Sequence, residues 1–351
     1  MTDAAQRPSA PLRRLAWLVN APVETQEDGT LASPMASVRY RCLAPARELA
    51  QRGVQSSVFA DLGRVDPAAT AHELLRRGAD VVVAGKPLGP AMVEVARRVQ
   101  AQGARLIVDV CDDFFDHEPL GPLSLAIARL ADGLVASTPV LAQRLERRLG
   151  RRATVISDPY EGPRGVARFA PRAERLELLW FGNANNYATI APALPQLAAF
   201  SRRQPLRLTI VTALDKIERP YGSSAPGLLI DHAAWTPAAL WRRLAVCDAV
   251  VIPSPSAPHY EAKSPNRLVE AIWAGRAVAA CPVPSYAELG AGCWLGEDMA
   301  TALAAMIADP MAVERRIAEG QSLVAGRHAP AAIAAQWFDR LQDAMTAGAG
   351  P

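Results

Sequence analysis

Lysine is nearly missing from this chain: of 38 basic residues, only Lys86, Lys216 and Lys263 are lysine. Net charge is nearly missing too, at +3 over 351 residues, so bulk charge offers nothing to nucleic acid. No apolar run approaches the roughly 20 residues of a membrane-spanning helix. The early run Leu15 to Val23 is broken by Asn20 and Pro22 and reads as a first strand, not a leader. No C-x-x-C pair occurs. The five cysteines (Cys42, Cys111, Cys247, Cys281, Cys293) are odd in number and scattered. That pattern favours buried free thiols in a reducing cytoplasm over disulfides or a zinc site. There is no G-x-G-x-x-G dinucleotide fingerprint, no internal repeat and no low-complexity tract beyond the last residues.

What is present is an apolar half and a charged fifth, the profile of a globular protein, at a length that suits two domains. Each lysine follows an expected strand. In a chain that otherwise uses arginine, such positions suit a compact ammonium where a guanidinium would not fit, with chance as the competing account.

Strands and helices alternate, which implies parallel sheets. Residues 1–11 read as a disordered tail. Strands are expected at Leu15 to Asn20, Gln55 to Ala60, Asp80 to Ala84, Arg105 to Val110, Gly133 to Ala136 and Thr154 to Ser157. Helices are expected at Ser37 to Arg52, Pro90 to Gln102 and Pro139 to Leu149. The Pro- and Gly-rich segment Asp158 to Ala173 reads as an interdomain linker, 161–173 at its narrowest. The alternation restarts at Leu176 to Phe181. The expected domains are 12–160 and 174–329, with a last helix, 330–347, returning to the first.

The most informative segment runs from Asp248 to Tyr286. Ala249 to Pro253 reads as a strand, and Pro253, Pro255 and Pro258 forbid regular structure in the loop after it. Ser264 suits an N-cap with Pro265 at the first helical position, and Gly275 closes the helix. Lys263 and the free N–H groups of the first turn suit a diphosphate, with Arg267 and Asn266 beside them. Glu270 suits two sugar hydroxyls, because a carboxylate accepts from both. Ser254 follows the strand on the same side.

The pattern K-S-P-N-R-L-V-E-A-x-x-A-G-R, followed by a strand and a Pro-containing loop, resembles the nucleotide-sugar site of GT-B glycosyltransferases. It is most similar to the retaining family 4, also called glycosyl transferases group 1. The resemblance implies an α/β chain of two Rossmann-like, doubly wound domains facing a cleft, with the first domain taking the acceptor and the second the donor. It implies transfer of a sugar from a UDP- or GDP-sugar to an acceptor hydroxyl, with retention. Glu270 then holds the ribose. The family motif is Glu, seven residues, Glu, and its first position falls here on Ala262, with Glu261 one residue early. That glutamate normally contacts the transferred sugar.

Other candidates fall in place around this helix. Gly182 and Asn183, in GNANN after the first strand of the second domain, let backbone N–H groups approach a phosphate, or form an ordinary turn. The family's diphosphate lies near that turn. Lys216 would neutralise the leaving group, or is a solvated loop lysine. In DVCDDFFDHE, Asp109 to Glu118, three roles compete: Mg²⁺ binding, an acceptor-side role for Asp112 or Asp113, and simple capping by Asp113. The acceptor role is preferred, because the D-x-D metal motif belongs to a different glycosyltransferase architecture; no metal or other cofactor is expected. Arg39 in SVRYR and Lys86 after VVVAG are further acceptor-side candidates, against surface roles. The basic run Arg144 to Arg152 reads as a solvated helix end, or as a contact to an anionic membrane carrying a lipid-linked acceptor.

The expected partners are thus a nucleotide sugar and a glycan, lipid-linked or small-molecule acceptor, in a bacterial enzyme of polysaccharide or glycoconjugate biosynthesis, cytoplasmic or peripheral to the inner membrane. Two alternatives stand beside it: a GT-B-fold nucleotide-sugar epimerase, and a non-catalytic paralogue that binds glycan or a partner enzyme.

Overall fold

The computed structural model describes residues 11–62, 65–86, 89–171, 174–222 and 225–346. The expected N-terminal tail falls outside these, apart from Pro11. The chain divides into two compact units, 1–159 with 262–264 and 330–351, and 160–261 with 265–329.

In the first unit the strands are β1 (Arg14–Val19), the small hairpin β2 (Glu24–Thr25) and β3 (Leu31–Ala32), then β4 (Gln55–Phe59), β5 (Val81–Gly85), β6 (Arg105–Val110), β7 (Gly133–Ala136) and β8 (Thr154–Val155). Six of them form a parallel sheet in the order β4-β1-β5-β6-β7-β8. Both faces are covered, so β5 and β7 read as unbroken apolar runs. Successive residues alternate between two cores. Leu18, Val82, Val108 and Leu134 enter one, and Trp17, Val83, Ile107 and Val135 enter the other. The last helix, Pro330–Thr346, closes the second face, where Trp337 meets Trp17 edge-on at 5.4 Å.

In the second unit β9 (Leu176–Phe181), β10 (Leu206–Thr212), β11 (Leu228–Ala234), β12 (Ala249–Ile252), β13 (Ala277–Ala280) and β14 (Trp294–Leu295) form a parallel sheet in the order β11-β10-β9-β12-β13-β14. Counted along the chain this is 3-2-1-4-5-6, the doubly wound order whose direction reverses between β9 and β12.

Four local expectations change. The helix expected from Ser37 to Arg52 is interrupted by a π-helical turn, Arg39–Leu43, between Ala36–Val38 and Ala44–Ala50. The proline loop holds one helical turn, Pro258–Glu261. Pro265, not Ser264, is the N-cap of helix Asn266–Trp273: its carbonyl accepts the Val269 N–H, and no side chain caps the end. Finally, the segment expected as a linker is packed on the second unit. Phe169 is buried in the core, the Gly165 N–H donates to Trp273 O, and a Cβ on Gly165 would lie 2.0 Å from Ala274 O. Residues 172–173 of that segment lie outside the described ones.

Candidate active site

At the reversal point of the second sheet, the carboxyl ends of β9 and β12 present Gly182 and Ser254, and helix Asn266–Trp273 follows β12. Open α/β sheets bind ligands at such a point. The helix buries Leu268, Val269, Ala271 and Ile272 against the sheet, and Gly275 ends it at φ +74°, a conformation that favours glycine.

Arg267 organises the exposed end of this arrangement. Its guanidinium lies 5.9 Å from the centre of the Trp180 ring and hydrogen-bonds the buried Tyr286 hydroxyl. Burial pushes the Tyr286 pKa up, although the Arg267 charge opposes this. Gly182 is small for a reason: a Cβ there would come within 3.1 Å of Trp180 Cη2 and 3.8 Å of Arg267 Nη1. Among the described residues, Arg267 Nη1 and Trp180 Nε1 are both buried donors with no hydrogen-bond partner, as is the Thr212 hydroxyl at the end of the adjacent β10. Orphaned buried donors are costly, and three beside one sheet edge fit a site that an acceptor-rich ligand completes. Glu270, one turn beyond Asn266, is 4% exposed.

The other expected donor residues are placed more loosely. Asn183 is exposed and accepts the Asn185 N–H at 2.9 Å, which starts the helical turn after β9. Lys216 is exposed at the end of the turn Leu214–Lys216. Ser254 gives its backbone N–H to the Cys281 thiol, and Asn266 is half-buried.

Lys263 is held differently. The stretch Ala262–Ser264 belongs to the first unit, although its neighbours in sequence belong to the second. Ala262 is 1% exposed in the first unit's core, and its carbonyl accepts the Thr138 hydroxyl at 3.1 Å. A glutamate in that place would bury a carboxylate among apolar groups. Lys263 Nζ lies 2.6 Å from Asp112 Oδ1, and Lys86 Nζ lies 2.8 Å from Asp112 Oδ2. Two of the chain's three lysines therefore share one carboxylate. Burial raises the Asp112 pKa, but Lys263 and Lys86 outweigh it and hold the group below its ordinary value. Burial lowers that of Lys86, but Asp112 more than reverses this and the pKa is raised. Lys86 sits at φ +47°, a left-handed conformation that costs a non-glycine residue about 1 kcal/mol or more.

The rest of DVCDDFFD is also matched with cations. Asp113 pairs with Arg144 and accepts the Phe115 N–H, and Asp116 pairs with Arg148. Arg151 reaches the Ala128 and Ala131 carbonyls, so the basic run is largely turned to protein partners. Arg39 donates to the Pro34 carbonyl at 3.1 Å and lies over Tyr40. The residue that sequence reasoning passed over is Arg41. The π-helical turn buries it, where it grips Asp109 bidentately at 2.6 and 3.0 Å and Asp158 at 2.9 Å. Only its place beside Arg39 marks it in the sequence.

No protein-family model matches the chain, and no curated protein matches it in sequence. Solved structures do match in fold. HepE of Anabaena in complex with UDP superposes with a TM-score of 0.65 at 16% identity, over 94% of this chain and 100% of that one. Its complex with UDP-glucose gives 0.67 at 16%, over 94% and 99%. Sucrose-phosphate synthase of Thermosynechococcus elongatus gives 0.68 at 13%, over 96% and 100%. The chain thus has the GT-B fold: two α/β units, each built on a parallel sheet.

Proposed function

We propose that the chain is a glycosyltransferase that binds a nucleoside diphosphate sugar on its second unit and passes the sugar to an acceptor hydroxyl. The observation that carries this reading is the donor set at the β9/β12 reversal point: the buried, unpartnered Arg267 Nη1 beside Gly182, one turn from the buried carboxylate of Glu270. In this reading Arg267 meets a diphosphate oxygen, with the Gly182 turn, Asn183, Ser254, Asn266 and Lys216 around it, and Glu270 accepts from the ribose hydroxyls. Uridine is the preferred base, because the HepE complexes contain UDP and UDP-glucose.

Transfer with retention breaks the bond from the anomeric carbon to the diphosphate oxygen and forms one to the acceptor oxygen. The acceptor's proton passes to the departing diphosphate, whose charge the cations stabilise. Glycan or glycoconjugate synthesis is the proposed setting.

The test is thermal stabilisation by UDP, GDP, ADP, dTDP and their sugar conjugates. Uridine nucleotides should raise the Tm, and Arg267→Ala and Glu270→Ala should each weaken binding about tenfold or more. Stabilisation by none of them sinks the proposal. A second reading, a non-catalytic paralogue, is favoured by one observation: Ala262, buried and apolar, stands where the family's sugar-contacting glutamate would be. Sugar transfer or slow hydrolysis of a bound UDP-sugar decides against it.

A further inference from the structure

The opposite edge of the second sheet holds a cavity unrelated to the donor set. Glu177 is the second residue of β9 and Arg207 the second of β10, and Asp248 directly precedes β12. At about 3.3 Å per residue along β9, this amino-terminal edge is about 17 Å from Gly182. The cavity measures ≈ 400 Å³ and is lined by Arg168, Arg175, Arg207, Arg243 and Arg276, against Glu177 and Asp248. Five cations face two carboxylates.

Three of the arginines are partly committed. Arg276 donates to the carbonyls of Ala274, Cys247 and Val166, Arg175 binds Glu177 at 2.9 Å, and Arg207 lies 3.3 Å from Asp231. The Arg276 bond to Cys247 O also serves the carboxyl end of helix Pro237–Val246, which reaches this cavity. The atom in that last ion pair is the buried Arg207 Nε, which makes no hydrogen bond among the described residues. The side chains of Arg168 and Arg243 have no ion pair or hydrogen bond among the described residues. Like charges gathered in a concave space repel one another, and an anion with several oxygens relieves the repulsion and takes up the unspent donors of Arg168 and Arg243.

We infer that this cavity is a second anion site, taking a small ligand with two or more phosphate groups between Arg168, Arg243 and Arg207. Arginine suits phosphate because its planar fork presents paired donors. The volume is that of a small-molecule pocket, and the concave form suits a free phosphorylated compound better than a flat lipid surface.

The probe is inorganic pyrophosphate, titrated calorimetrically at fixed ionic strength. Three proteins are compared: the wild type, the pair Arg168→Ala with Arg243→Ala, and Arg267→Ala in the donor set. Both arginines of the pair are exposed, so the variant should fold, and a circular dichroism melt checks that it does. The expected result is binding that the pair weakens about tenfold and Arg267→Ala leaves in place. UDP-induced stabilisation should survive in the pair, which separates this site from the proposed function. No pyrophosphate binding, or binding lost only in Arg267→Ala, overturns the inference. Co-sedimentation with phosphatidylglycerol vesicles in the absence of pyrophosphate binding overturns it too, and assigns the arginines to a membrane surface.

Discussion

Lys263 Nζ sits 2.6 Å from one oxygen of Asp112, while Lys86 occupies the other oxygen at 2.8 Å. Asp112 is the most enclosed of the three, with 16% of its side chain exposed against 26% for Lys86 and 35% for Lys263. The carboxylate is therefore the hub, and losing it leaves two half-buried ammonium groups close to each other.

Asp112→Asn should destabilise the first unit by about 1–3 kcal/mol, less than for a fully buried pair because water screens both lysines. The pH dependence follows from the direction of the shift. The folded pKa of Asp112 is below its ordinary 3.8, so its contribution is fully present above that value and is lost as pH falls through the lowered one. Lys86 is raised above 10.5, so its contribution is present below that value and fades as pH rises through the raised one. Urea melts of wild type and Asp112→Asn should converge at low pH. Parallel curves down to the most acid point would show that the bridge contributes nothing.

Ala262→Glu would place a glutamate where the motif that the sequence resembles carries one, but in letter only. The methyl group is 1% exposed among Leu, Val and Ala side chains, so the carboxylate would be buried without a partner. The expected cost is about 2–4 kcal/mol. A Tm equal to wild type would mean that position 262 accommodates a charge, against its burial.

The helix Asn266–Trp273 was legible because its pattern is local. An apolar stripe, a proline start and a glycine stop need no distant partner to be recognised. The alternation of strands gave the two parallel sheets for the same reason. What stayed hidden depends on contacts far along the chain. Arg41 resembles any helix-surface arginine until β6 and β8 bring Asp109 and Asp158 to it. Ser264 looks like a cap, but Ala262–Ser264 is drawn into the first unit and Pro265 takes the cap position. Pro and Gly content makes Asp158 to Ala173 read as a linker. The same glycines permit tight packing, as Gly165 does against Ala274.

Gly182→Ala tests how closely the first turn of the proposed donor set is fitted. Its backbone is not in the left-handed region, so strain is not the issue. The added methyl would meet the Trp180 indole at 3.1 and 3.3 Å, and that ring is wholly buried and cannot retreat. A stability loss of about 1 kcal/mol is expected. A weaker UDP response should accompany it, since Arg267 stands on the same ring. An unchanged Tm and UDP response would place Trp180 and Gly182 outside the site.

Arg41→Lys should be more damaging than its conserved charge implies. A lysine has no fork, so it cannot span both oxygens of Asp109 while also reaching Asp158 and the Ile156 carbonyl at 2.5 Å. Both carboxylates are buried, and whichever loses its partner is left in an apolar setting. The guanidinium also lies 5.3 Å from the Trp337 ring, on the helix that closes this face of the sheet. The expected loss is about 2–4 kcal/mol, read as a lower midpoint in denaturant. Hydrogen exchange should quicken first in helix Pro330–Thr346 and in the π-helical turn. If the turn exchanged as slowly as in wild type, the Arg41 network would not be what holds it in place.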